Sequence, residues 1–534
     1  MQWPPWPLHV PQLSALLATG CPLAHNHARV QRCAHALSAP DSLNGARPVR
    51  GRCRGARTMA KGSARARVAA LVRRLAPGGS AAEQAEAALA LERLCHDKSQ
   101  YREYVRGCGG VAALVQLLAP GRSGAVQERA AAALSTLCTD NRQNLDGVRE
   151  CGGVAALVGL LAPGGSAAVR IAAAVALAYL CVENSDNQDS VRECGGVAAL
   201  VRLLAPGGPA AVQQQAAGTL ANLCNDDERG AQNGECVREC GGIAALAGLL
   251  APGGSPAVQE RAAAALTGLC RKSTRNQDSV RECGGVAALV ALLAPGCSAG
   301  VRKRAALALG NMCHSNVQNQ DSVRVCGGVA ALVGLLAPGM APAARARAAL
   351  ALANLCSGNA RNRDSVRECG GVAALVALLA PGASAALHEQ AAKALSNLCS
   401  GNTQNQTSVW ECGGVAALVG LLAPGGSACV QKVAATALGN LCARNTRIED
   451  SMRECGGVAA LVRLLAPAGS AVVQENAAGA LCNLCVNNAR NRDSVRECGG
   501  VAALVRLLAH GGSAVMHERA ANALVSLTSE RAGP

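Results

Sequence analysis

The chain repeats itself. The segment VAALV begins at Val68, Val111, Val154, Val197, Val286, Val329, Val372, Val415, Val458 and Val501, and a variant, IAALA, begins at Ile243. The step between copies is 43 residues, except for 46 between Val197 and Ile243. A fixed period of this size marks an array of stacked units rather than one compact core. At 534 residues the chain is longer than a single core usually holds. The extra length falls near Asp226–Gly234, a polar stretch where added loop costs little.

One period shows what a unit must be. Asn276–Cys283 reads NQDSVREC and predicts a short helix with Asn276 as its N-cap and Asp278 as a first-turn acid. Gly284–Gly285 supply the backbone freedom of a sharp corner. Val286–Ala294 predict a second helix, with Val286, Leu289, Val290 and Leu293 on one face. Pro295–Gly296 end it. A third helix runs from about Ala299 to Cys313, with Val301, Ala305, Leu309, Met312 and Cys313 apolar. Composition agrees: half the residues are hydrophobic, yet Phe is absent and aromatics are 1%. Such a core is built from Ala, Leu, Val and Cys, and Ala and Leu are strong helix formers.

No unit buries its apolar face alone, so neighbours must stack into a quasi-one-dimensional solenoid. With helices roughly 8–10 Å apart, the array is elongated, on the order of 100 Å. The expected architecture is all-α, with about eleven three-helix units over residues 62–530. Their spans are near 62–97, 98–140, 141–183, 184–229, 230–272, 273–315, 316–358, 359–401, 402–444, 445–487 and 488–530. Residues 1–61 stand apart as a disordered basic tail or transit-like segment, with eight Lys/Arg against Asp41. Met59 offers a second start. The expected location is cytoplasmic, with nucleus or organelle following if that segment is a targeting signal.

The 27 cysteines fall mostly on two repeat positions. One runs Cys95, Cys138, Cys181, Cys224, Cys270, Cys313, Cys356, Cys399, Cys442 and Cys485; the other runs from Cys108 and Cys151 to Cys455 and Cys498. Both read as small buried hydrophobes, not as the disulfide framework of a small secreted domain. The lone CxxC, Cys482–Cys485, has no second pair or His at ligand spacing, so no metal or cofactor is expected. Phosphate-loop, nucleophile-elbow and HExxH motifs are missing, and the GG pairs are helix corners. The chain reads as no enzyme. No stretch approaches the roughly 18 apolar residues of a membrane span.

The GG-V-x-x-L-V-x-L-L segment, seen in Gly370–Ala380, and the A-A-x-A-L-x-N-L close, seen in Ala391–Cys399, resemble the armadillo family. The likeness covers about residues 65–530 and runs toward vacuolar-protein-8-like or plant and algal armadillo scaffolds. It implies a right-handed superhelical solenoid that binds an extended partner along a concave groove of third helices. An Asn near the end of the third helix typically bonds the partner's main chain there. The matching residues are Asn222, Asn311, Asn354, Asn397, Asn440 and Asn483. A carboxamide can hold a peptide N–H and C=O together; the competing reading is a bond within its own repeat. Importin-alpha-type receptors place a Trp four residues earlier, where this chain has Gly218, Leu307, Leu350, Lys393, Thr436 and Gly479. A nuclear-localisation-signal receptor is therefore not expected.

Arg304 and Arg347 stand two turns before the Asn and make the groove partly basic, suiting an acidic peptide, or else form a solvated ion-paired face. A ladder of Arg on the first helix, from Arg106 to Arg496, reads as structural surface and breaks at Trp410, a partner anchor or the cover of a joint. The alternative to a protein-binding scaffold is non-specific binding of nucleic acid by a basic solenoid with formal charge +16. The scarcity of aromatics for base stacking makes nucleic acid the weaker reading. Oligomeric state is not legible.

Overall fold

A computed structural model describes residues 64–225, 229–467, 469–509 and 512–528. Its contacts group into two units, residues 1–70 and 71–534. In the first, residues 64–70 are described and are helical. The predicted tail at 1–61 lies outside the described residues. The second unit carries the repeats.

Every regular element among the described residues is a helix. In residues 273–315 they are Thr274–Glu282, Gly285–Ala291 and Ala299–Met312. The same trio recurs from Gln100–Gly107, Gly110–Gln116 and Gly124–Cys138 to Ala489–Glu497, Gly500–Ala509 and Ala514–Thr528. Each third helix packs along the third helix of the next unit, and each second helix meets the next first helix. The result is a solenoid whose core is continuous from joint to joint.

Local chemistry sets the ends of each helix. Ser123, Ser166, Ser298 and Ser384 open third helices by accepting from the backbone N–H three residues on. Pro256 and Pro342 occupy first turns, where a missing N–H costs nothing. The first helix starts earlier than the sequence suggested. Ser273, not Asn276, is its N-cap, and its side chain accepts from the Asn276 backbone N–H at 3.2 Å. Asn184, Asn316, Asn359, Asn402 and Asn488 do the same in other units. Asn276 is freed for another task, because its carboxamide is buried.

The two corner glycines serve different ends. Gly370 has φ 75°, the left-handed conformation that Gly adopts without a Cβ penalty. Gly371 is the first residue of Gly371–Ala377. A Cβ there would stand 2.5 Å from Val366 Cγ1 and 2.8 Å from Val366 O. The second helix also ends sooner than predicted, at Ala291. Leu293 and Ala294 continue in i→i+3 bonds to Val290 and Ala291, a tighter turn that still buries Leu292 and Leu293.

The cysteine ladders separate. The third-helix set is buried, and burial pushes the thiols of Cys95, Cys138, Cys181, Cys224, Cys356 and Cys485 up to about 12. The other set corrects the expectation. Cys151, Cys194, Cys283, Cys326, Cys369, Cys412, Cys455 and Cys498 are exposed, and Cys108 and Cys240 are half-buried. They end the first helix just before the left-handed glycine, where the corner turns outward.

Candidate functional site

The six ladder asparagines sit near the C-terminal ends of their third helices, and each reaches back to the preceding unit. Asn311 Nδ2 donates to Thr267 O at 2.9 Å, Asn354 to Gly310 O at 2.9 Å and Asn397 to Ala353 O at 2.8 Å. Asn222, Asn440 and Asn483 make the same bond to Ala178 O, Ser396 O and Gly439 O at 3.4, 3.2 and 3.1 Å. The bond therefore runs between repeats, not within one. It occupies one of two amide hydrogens, except at Asn440, whose Nδ2 also donates to Ser396 Oγ at 3.0 Å. Asn354 is buried and the other five are half-buried. Among the described residues none of the six Oδ1 atoms accepts a hydrogen bond. The rung is fixed at one end and keeps an acceptor and, Asn440 aside, a donor.

A second carboxamide ladder escaped the sequence reading. Asn144, Asn187, Asn276, Asn319, Asn362, Asn405 and Asn491 are buried, and each Nδ2 donates to the Leu or Met carbonyl seven residues earlier. The next residue extends the clamp across the joint. Gln320 Nε2 donates to Cys313 O of the preceding unit and to Asn354 O of its own, both at 3.0 Å. Gln277 and Gln406 repeat this with Asn311 O and Asn440 O. Arg363 substitutes for Gln by donating to Cys356 O and Ser400 O. These groups satisfy carbonyls that the end of a helix leaves without partners. They also hold the backbone that carries the asparagine rungs.

Charge is arranged unevenly. First-helix arginines pair with an acid one turn back: Arg192 with Asp189 at 2.8 Å, Arg324 with Asp321 at 3.5 Å, Arg453 with Asp450 at 3.1 Å. At Arg281 the following Glu282 is the nearer partner, at 3.3 Å against 3.9 Å for Asp278. Trp410, half-buried, has Arg447 of the next unit 3.9 Å from its ring centroid. One ring face is thus taken by a cation–π contact across the joint.

On the third helices, Arg261, Arg304 and Arg347 recur at 43-residue steps, seven residues before Gly268, Asn311 and Asn354. Seven residues is nearly two turns, so Arg304 and Arg347 share the face of their rungs. Arg304 Nε makes no hydrogen bond; the nearest carboxylate oxygen is Glu260 Oε1 at 3.9 Å. Desolvation, and then the Arg304 charge, hold Arg347 below the ordinary guanidinium range. Desolvation also lowers Arg261, opposed by Glu260 and reinforced by Arg304. The Arg261 stem lies over Gly218, its Cδ 3.6 Å from where a Cβ would stand.

A family model described as ARMC5 matches residues 268–528. The Armadillo/beta-catenin-like repeat model matches residues 98–139 and 184–225. A crystal structure described as an engineered protein is 31% identical with TM-score 0.69, over 78% of this chain and 99% of that one. A second engineered protein is 32% identical with TM-score 0.43, over 45% of this chain and 96% of its own. No curated protein matches the chain significantly.

Proposed function

Because the chain belongs to the armadillo repeat family, whose solenoids are generally protein-interaction scaffolds, we propose that it is a non-catalytic adaptor holding an extended partner segment along its third helices. One observation carries this reading. A row of carboxamides is each tied by Nδ2 to the helix before it and leaves Oδ1 unbonded. A tethered amide loses little freedom when it accepts a peptide N–H, and such preorganisation lowers the cost of binding. Main-chain contacts of this kind read backbone rather than side chains, so recognition tolerates varied sequence. The rung is missing at Gly268, where a Cβ would stand 3.1 Å from Cys224 O, a tight approach of the two helices.

The test is selection of peptides from a random displayed library on the full chain, followed by titration against variants. Asn311→Ala, Asn354→Ala and Asn397→Ala together remove three rungs. Asn187→Ala removes a buried inter-helix bond to Leu180 O, on a helix whose rung position is Tyr179, and controls for lost stability. We expect the triple variant to weaken selected peptides by roughly tenfold or more, while Asn187→Ala lowers the melting temperature and leaves their affinity unchanged. Equal affinity for wild type and triple variant would mean that the rungs only join repeats.

A further inference from the structure

The third helices Pro256–Leu269, Ala299–Met312 and Pro342–Cys356 carry Arg261, Arg302, Lys303, Arg304, Arg345 and Arg347 against one acid, Glu260. The trio one helix further on reaches the same count only by sharing five of these bases and adding Lys393 together with Glu389. Ala210–Leu223 has none, and Ala385–Cys399 balances Lys393 with Glu389. Two of the six are occupied locally: Arg345 Nε donates to Leu336 O at 3.2 Å, and Arg302 Nη1 to Met340 Sδ at 3.2 Å. The column Arg261–Arg304–Arg347 is different. Its single close counter-charge is Glu260, beyond hydrogen-bond reach of Arg304. Further along the same column the charge is answered within the protein. Arg519 lies 3.6 Å from Glu475 and donates to Asn476 Oδ1 at 3.1 Å.

We propose that this stretch selects acidic partner segments: an extended peptide whose carboxylates alternate along the arginine column while its main chain meets Asn311 and Asn354. The inference rests on the scaffold reading and adds the chemistry of the partner. A guanidinium that is partly desolvated and crowded by another has a standing demand for a carboxylate, which it can take in bidentate fashion. The pitch fits as well. Third helices pack roughly 8–10 Å apart, and a partner in the polyproline II conformation rises about 3.1 Å per residue with about three residues per turn, so about every third residue of the partner lies on one face and meets an arginine. The chain's own segment 1–61 is a poor occupant. With eight Lys/Arg against one acid it would be repelled from the column. Nucleic acid is disfavoured because these three helices contain no aromatic side chain on which bases could stack.

The experiment uses the full chain and an unstructured labelled peptide with Glu at every third position, beside its all-Gln counterpart, read by fluorescence anisotropy. We expect the Glu peptide to bind at least roughly tenfold tighter, with the advantage shrinking in high salt. It should disappear in Arg304→Gln/Arg347→Gln and persist in Arg304→Lys/Arg347→Lys, with melting curves confirming that both variants fold. If the Glu and Gln peptides bind alike, or the Glu advantage survives Arg→Gln, the charge inference is overturned. Loss of both peptides in Asn311→Ala/Asn354→Ala would then still support the scaffold reading on its own. If single-stranded DNA binds in an Arg304-dependent way and neither peptide does, the column serves phosphate and the acidic-peptide proposal fails.

Discussion

Where most units place Gln or Arg after the buried asparagine, residues 445–487 have Ile448 followed by Glu449. Glu449 is 2% exposed and accepts from Asn488 Nδ2 at 2.7 Å. An ionised carboxylate cannot donate to the Cys442 and Asn483 carbonyls as Gln320 does to their counterparts. Burial pushes the Glu449 carboxyl above its ordinary range, partly offset by Asn488. The sign follows: a raised carboxyl contributes stability that is present below the ordinary glutamate range and lost as pH rises through the raised value. Glu449→Gln is therefore expected to stabilise the chain at pH 7 by about 1 kcal/mol, with the gain shrinking toward about pH 4. Thermal melts at the two pH values check it, and a constant difference would refute the assignment. The position also shows what the sequence could disclose. The rung asparagines were legible because they recur at a 43-residue step, but not the direction of their amides. The same residue type suits a groove, a cap or a bond between helices. Asn276 was misread as a cap for the same reason. The clue that it was a clamp lay one residue on, in the long donors Gln188, Gln277, Gln320, Arg363, Gln406 and Arg492.

At the scale of the helix, the glycine corner is the tightest constraint. Gly371→Ala drives a methyl into Val366, and we expect a loss of about 1–3 kcal/mol, seen as a lower melting temperature. Val366→Ala removes the Cγ1 clash and leaves the one with the Val366 carbonyl, so the double variant should cost less than the two single changes summed; strict additivity would show that the side-chain contact does not matter. The exposed cysteines give a second reading of the same corner. Brief alkylation of native chain, mapped by mass spectrometry, should modify Cys283, Cys326, Cys369 and Cys412 while sparing Cys313, Cys356 and Cys399, whose thiols burial keeps protonated. Three helices per unit could be read from apolar spacing and from Gly and Pro. The exposure of one cysteine set could not, because a thiol suits either side of a corner and only the direction of the left-handed turn decides.

Across the array the joints are not equal. Residues 230–272 carry the longer step, have Gly234 in the clamp position, and border a small cavity of about 20 Å³ beside Gly230, Cys224 and Gly268. Stability in a solenoid is nearly a sum of units and joints, so opening should begin where a joint is poorest. Amide hydrogen exchange is expected to be faster in Arg229–Glu239 than in Val317–Val325, whose Gln320 spans three carbonyls; the reverse order would show that the clamps do not govern local opening. The clamp has a consequence for how such a chain can change in length. Because Gln277, Gln320 and Gln406 each bond one carbonyl behind and one ahead with the same atoms, every such joint presents matching halves. A duplication or deletion of one whole period would rejoin those halves intact, while a break inside a clamp would sever them. Growth by unequal exchange is thus quantised: the array can acquire or shed modules and so rewrite the order of its rungs and charges without redesigning its core.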